Sequence, residues 1–165
     1  MPSTEPTLRR AGRVLVIDPT NRMLLLEGFD PAEPESRYWV TIGGGLEDGE
    51  NTADAALREL REETGITAAA DELAGPVWQR STEFSFDGTR YRQDEDYYLL
   101  RTGHVQVSLA DLDDIERQTV TGYRWWSQEE LASTAEVFYP SELPGLLQQL
   151  APGDGEQGGL HTSPR

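Results

Sequence analysis

The chain has 165 residues, 30 of them acidic against 14 basic, for a formal net charge of −16, with no cysteine and two histidines. That length suits one domain with a real core and short tails, and the acidity argues against non-specific binding to nucleic acid backbones. The lack of cysteine excludes disulfides, thiolate catalysis and cysteine-ligated metal sites, while His104 and His161 lie too far apart in sequence to suggest a histidine metal site or a Ser–His triad. Every basic side chain is Arg, and Lys is absent. No apolar run approaches the roughly 18 residues of a membrane span. The N-terminal stretch lacks the apolar core of a signal peptide, so the expected compartment is the cytoplasm.

In chain order, residues 1–8 read as a flexible lead-in. Arg9 to Asp18 reads as a strand with Val14, Leu15, Val16 and Ile17 as its apolar run, and Met23 to Glu27 as a second strand after a Pro19 to Arg22 turn. The two are expected to form a hairpin. Gly28 to Ser36, with two prolines and several charges, reads as a loop. Tyr38 to Ile42 is a short strand entering Gly43-Gly44-Gly45. Thr52 to Thr64 is the strongest helix, with Asn51 as N-cap, Asp54 completing a capping box, Gly65 at C′ and Ile66 as the apolar contact beyond it. Val77 to Phe86 and Thr89 to Arg101 are strands joined by Asp87-Gly88. Gly122 to Trp126 is another strand, in which Trp125 and Trp126 alternate so that at least one is core. Ser127 and Glu130 cap a helix, a last helix runs from about Ser141 to Leu150, and residues 151–165 read as a disordered tail. Strands on both sides of a helix, then more strands and C-terminal helices, imply an α/β fold: an α/β/α sandwich with a mixed β-sheet over residues 9–150.

The chemistry concentrates in Gly44 to Ile66. Helical spacing puts Glu59, Glu62 and Glu63 on one face, Leu57 and Leu60 on another, and Arg58 four residues from Glu62. Clustered carboxylates repel, and that cost makes sense where cations occupy the site; Mg²⁺ bridges protein carboxylates and substrate phosphates in this way. The glycine turn lets backbone come close to the helix, and a glycine carbonyl can serve as one more ligand.

Gly44, five residues, Glu50, seven residues, then Arg58-Glu59-Leu60-Arg61-Glu62-Glu63-Thr64-Gly65-Ile66 resembles the Nudix box, with every fixed position of its 23 residues present. The likeness extends over roughly residues 9 to 150; Ile42 departs from it, standing where many members have proline. The resemblance implies a hydrolase of phosphoanhydride bonds in nucleoside diphosphate derivatives, using Mg²⁺ or Mn²⁺. It implies Glu62, Glu63 and Glu59 as metal ligands with the Gly44 or Gly45 carbonyl, Arg58 as their orienting partner and Glu50 as a brace between loop and helix. For the general base, Glu95 is favoured, with Glu83 behind it. Arg37, Arg80, Arg90 and Arg92 are candidate phosphate contacts, and Tyr38, Trp39 and Trp78 candidate stacking surfaces for a base, against core packing for the tryptophans. A small nucleotide substrate is expected, no membrane association, and a homodimer by analogy with many relatives. The alternative within the family is a sensor that binds a nucleotide or ADP-ribose derivative without cutting it. Isoprenoid diphosphate isomerisation is argued against by the missing cysteine. Ser81 stands near the place where ADP-ribose pyrophosphatases carry a proline, which leaves dinucleoside polyphosphates, nucleoside triphosphates and nucleotide sugars open.

Overall fold

The computed structural model describes residues 5–151. The expected disordered tail beyond Ala151, and the first four residues of the expected lead-in, lie outside the described residues. Eight strands and four helices follow in order: β1 (Thr7–Ile17), β2 (Met23–Asp30), β3 (Glu33–Val40), β4 (Ile42–Gly45), α1 (Thr52–Thr64), β5 (Ala74–Phe86), β6 (Thr89–Arg101), α2 (Asp114–Thr119), β7 (Val120–Trp126), α3 (Gln128–Ser133), β8 (Phe138–Tyr139) and α4 (Leu143–Leu150). A short 3₁₀ turn (Ala70–Glu72) precedes β5.

β1 organises the sheet. It runs parallel to β6 along its whole length and antiparallel to β4 over Ala11 to Val14. The expected hairpin with β2 exists only at its tip, where Ile17 faces Met23; beyond that β2 leaves to pair with β3 and β7. The strands diverge because each has a longer partner on offer elsewhere. The expected loop from Gly28 to Ser36 is mostly strand: β2 continues to Asp30, and β3 starts at Glu33. Pro34 is tolerated because β8 covers β3 only at Trp39 and Val40, leaving the proline on an open edge. The Asp87-Gly88 turn joins β5 and β6 with both residues at positive φ, as a two-residue hairpin requires. Asp30 accepts a 2.7 Å hydrogen bond from the Asp87 N–H, so the tips of the two hairpins touch.

Side-chain alternation along β1 builds a core on each face. Val14 and Val16 pack with Leu24, Leu26, Ile42, Ala56, Leu60, Tyr98 and Leu100 under α1. Leu15 and Ile17 pack with Met23, Leu25, Tyr97, Leu99, Trp126 and the leucines of α3 and α4. Sheet between helices is the expected sandwich. Trp126 is 1% exposed, while Trp125 packs partly buried against the opposite cluster. α2 and β8 are additional to the elements expected from the sequence, and α4 begins at Leu143 rather than Ser141.

α1 sits unusually close to β1. A Cβ on Gly12 would lie 1.9 Å from the Thr52 carbonyl oxygen, so only glycine admits the first turn of the helix there. Its caps form as the sequence suggests: the Asn51 side chain accepts from the Asp54 N–H at 2.8 Å, Asp54 answers at 3.2 Å, and Gly65 closes the helix at φ 76°.

Candidate metal centre

The glycine strand β4 and helix α1 present the Nudix-like segment as one charged surface. Arg58 is its hub. Its guanidinium grips Glu50 with two prongs, 2.7 Å and 3.0 Å, and donates to the Gly45 carbonyl at 3.0 Å. Its remaining nitrogen reaches Glu59 and Glu62, both at 3.2 Å. The hydrogen bond from Arg58 holds the Glu50 carboxyl below the usual range, so the brace is ionised.

Glu63 is 6% exposed, and its Oε1 accepts the Gly43 N–H at 2.9 Å. Glu59 lies against the glycine strand: a Cβ on Gly44 would stand 2.3 Å from Glu59 Oε2. Glu116, from α2, arrives at the same place. Oxygens of Glu59, Glu63 and Glu116 all lie within 4.8 Å of one another. Glu62 sits on the rim, 28% exposed, with only its Oε1 engaged by Arg58.

This cluster is short of positive charge. Burial, then the charge of Glu116, pushes the Glu59 carboxyl up to about 7. Glu63 is raised well above the carboxylate range, by burial first and then by its hydrogen bond to Glu116. Glu59 Oε1 is buried without any hydrogen-bond partner among the described residues. Three converging carboxylates with one orphaned oxygen could hold a hard divalent cation. Glu116 was not singled out from the sequence. Its one signal is the Asp113-x-x-Glu116 capping box, which does form at α2.

The other expected residues fall elsewhere. Glu95 alternates with Tyr97 and Leu99, on the face turned away from α1. It is 2% exposed and takes hydrogen bonds from Arg80 (2.7 Å), Tyr97 (2.7 Å), Gln93 (2.6 Å) and Arg13 (3.2 Å). Burial alone would raise its pKa; Arg13's charge and the hydrogen bonds from Arg80 and Tyr97 outweigh that and hold it at about 2. Such a carboxylate is a poor proton acceptor near neutral pH. Glu83 is exposed and paired with Arg90 on the outer hairpin. Arg80 is committed to Glu95. Trp39 is 8% exposed, packs edge-to-face on Trp126 and gives its indole N–H to Glu136, so it is core rather than a stacking platform. Trp78 is partly buried against the same core, beside Tyr97. Tyr38 meets Tyr139 edge-on. Arg37 is exposed, 3.9 Å from Glu27, and Arg92 is exposed on β6.

Comparison with known proteins bears on the family and the fold. A family model described as NUDIX domain matches residues 7–145. A dihydroneopterin triphosphate diphosphatase of Escherichia coli is 35% identical over 80 residues, covering 48% of this chain and 51% of that protein, so the chain spans about half the length of that relative. An RNA pyrophosphohydrolase of Novosphingobium aromaticivorans is 28% identical over 135 residues, 72% of this chain and 76% of its own. Among solved structures, a MutT protein from Methanosarcina mazei superposes with a TM-score of 0.63 at 18% identity, covering 88% of this chain and 94% of that one. A C. elegans Ap4A hydrolase does so at 0.57 and 19%, covering 85% and 93%. No helix among the described residues is long and apolar enough to cross a membrane.

Proposed function

This chain belongs to the Nudix family, and from that premise we propose that it is a divalent-metal-dependent hydrolase of a phosphoanhydride bond in a nucleoside diphosphate derivative. The observation that carries the reading is the convergence of Glu59, Glu63 and Glu116 within 4.8 Å, with one buried carboxylate oxygen unsatisfied.

In this reading Glu59, Glu63 and Glu116 hold Mg²⁺ or Mn²⁺, with the Gly44 carbonyl as a further ligand. When bound, the cation supplies positive charge to the phosphoryl oxygens and lowers the pKa of a water. The protein's own residues do the rest. Arg58 fixes the rotamers of Glu59 and Glu62 and ties both to the loop through Glu50 and the Gly45 carbonyl, so the carboxylates keep their places despite repulsion. Glu62, open to solvent and with its Oε2 unpartnered among the described residues, is placed to take the proton of the attacking water. The new oxygen–phosphorus bond forms in line with the bridging bond that breaks, and the bridging oxygen departs with the second phosphate. Glu95, the base expected from sequence, is proposed instead as an anchor: it holds Arg13, which donates to the carbonyls of Thr41 (3.1 Å) and Gly43 (3.4 Å) beside the Glu63 contact.

The test is a panel of nucleoside triphosphates, dinucleoside polyphosphates and nucleotide sugars, incubated with Mg²⁺, Mn²⁺ or EDTA, with products separated by chromatography. Metal-dependent cleavage that a Glu62→Gln, Glu63→Gln double variant loses is the expected result, and the products name the substrate. Binding of a nucleotide with no cleavage under any condition would overturn the hydrolase reading in favour of a sensor.

A further inference from the structure

Tyr97 and Tyr98 spend their hydroxyls on the fold: Tyr97 donates to Glu95 at 2.7 Å, and Tyr98 shares a 2.8 Å hydrogen bond with Thr52. Tyr38 and Tyr139 do not. Neither hydroxyl has a hydrogen-bond partner among the described residues. Their rings meet edge-on, with centroids 5.6 Å apart and planes at 65°. Tyr38 is half-buried, and Tyr139, 48% exposed, is the most exposed aromatic side chain among the described residues.

Strand register places this pair. Leu26, in the core under α1, faces Val40 across β2 and β3, and Val40 faces Tyr139 in β8. Gly28 faces Tyr38 two residues further along, so Tyr38, Val40 and Tyr139 share the side of β3 and β8 that carries the α1 core. Two routes lead from there to the acid cluster. The first runs through α2: a Cβ on Gly28 would stand 2.7 Å from the Thr119 carbonyl oxygen, and Glu116 is three residues back in α2, about 4.5 Å along its axis. The second runs through β4: three residues lead from Val40 to Gly43, at most about 11 Å, and the Gly43 N–H donates to Glu63.

We infer that Tyr139, with Tyr38 edge-on beside it, is the platform on which the planar heteroaromatic ring of the substrate stacks. This deepens the hydrolase reading and rests on it: the carboxylates and their cation hold the phosphates, and the tyrosines hold the base, at a separation that a ribose and a phosphate bridge. Tyr139 offers an open ring face, Tyr38 bounds it, and both hydroxyls are left to meet the polar edge of a base. The surface suits a small ligand better than a second copy of the chain. Two partly buried rings supply far less than the roughly 800 Å² per partner of a stable interface. The ligand class is a nucleotide or another phosphorylated heteroaromatic; a sugar phosphate has no ring to stack.

The experiment measures binding by calorimetry with Mg²⁺ present, using AMP, GMP, CMP and UMP as probes and ribose 5-phosphate as the base-free control. None of these has a phosphoanhydride bond, so no turnover intervenes. At least one nucleotide should bind about tenfold or more tighter than ribose 5-phosphate. Tyr139→Ala should weaken nucleotide binding about five- to hundredfold, the loss of one stacking surface, and Tyr139→Phe should keep most of it. Tyr123→Ala, similarly exposed on β7 but separated from Val40 by the buried Leu26, should bind as the parent does. If no nucleotide outbinds ribose 5-phosphate, or if Tyr139→Ala binds nucleotides as tightly as the parent, the inference is wrong even where cleavage is observed. A dimer in sedimentation that Tyr139→Ala dissociates would assign the pair to an interface between copies instead. If the parent cuts nothing yet Tyr139→Ala still lowers nucleotide affinity, the platform stands and the hydrolase reading falls.

Discussion

A cluster of glutamates and a single buried glutamate lie on opposite faces of one sheet, and they end in opposite states. Under α1, Glu59 and Glu63 converge with the half-buried Glu116; Arg58 reaches only Glu59 of the three, and the carboxyls of Glu59 and Glu63 are pushed upward, by burial first. On the other face, Glu95 alone has two guanidiniums, a tyrosine and a glutamine, and is held at about 2. Burial is common to both. The balance of cations and donors decides whether a buried carboxylate stabilises the fold or waits for a ligand. In the first region one Glu59 oxygen has no hydrogen-bond partner among the described residues, while in the second both oxygens of Glu95 are engaged.

The largest expected break in this contrast is Glu95→Gln. It leaves Arg13 and Arg80 without their counter-charge, and breaking a buried pair from one side costs about 3 kcal/mol or more. Thermal unfolding should show a fall in melting temperature of roughly 10 °C for a domain of this size. An unchanged melting temperature would mean that the network carries no stability.

pH sharpens the same comparison. In EDTA, Glu59 has a folded pKa of about 7 against an ordinary value of 4.5, so its folded form keeps a proton that the unfolded chain gives up, and stability falls as pH rises from 4.5 to 7. Glu95 is the reverse: its contribution is present above 4.5 and is lost as pH falls from 4.5 toward 2. Each contributes on the order of 3 kcal/mol by the 1.36 kcal/mol per pKa unit relation. The metal-free protein should therefore unfold at its highest temperature in mildly acidic buffer, and Mg²⁺ should flatten the alkaline side alone. A melting temperature that climbs steadily to neutral pH in EDTA would contradict the account.

A smaller effect of opposite sign is expected for Glu116→Gln. Removing one like charge while keeping a capping side chain should stabilise the metal-free protein by about 1 kcal/mol and weaken the stabilisation by Mg²⁺. Destabilisation in EDTA would show that the cluster is satisfied as it stands. Smallest is Arg37→Ala: the side chain is exposed and 3.9 Å from its acid, so stability should stay within about 0.5 kcal/mol and cleavage rates should not move.

The site's helix was legible because its information is local. Asn51, Asp54 and Gly65 fix its ends, and spacing of three and four residues gathers Glu59, Glu62 and Glu63. The Asp87-Gly88 turn was legible for the same reason. What was missed depends on distant pairing. Glu95 and Arg13 are 82 positions apart, and only the parallel register of β1 on β6 brings them together. Glu116 enters through a six-residue helix whose acidic sequence also fits an exposed loop. The first half of β3, Glu33 to Ser36, reads as loop because Pro34 and its charges argue against a central strand, and as an open edge it escapes that constraint.

The central claim is that the cluster under α1 is a cation site. Calorimetric titration of the metal-free protein with Mn²⁺ tests it most directly, run beside a Glu59→Gln, Glu63→Gln variant shown to be folded. Saturable binding by the parent and its loss in the variant are the expected results. Equal binding by both, or none by the parent, would contradict it.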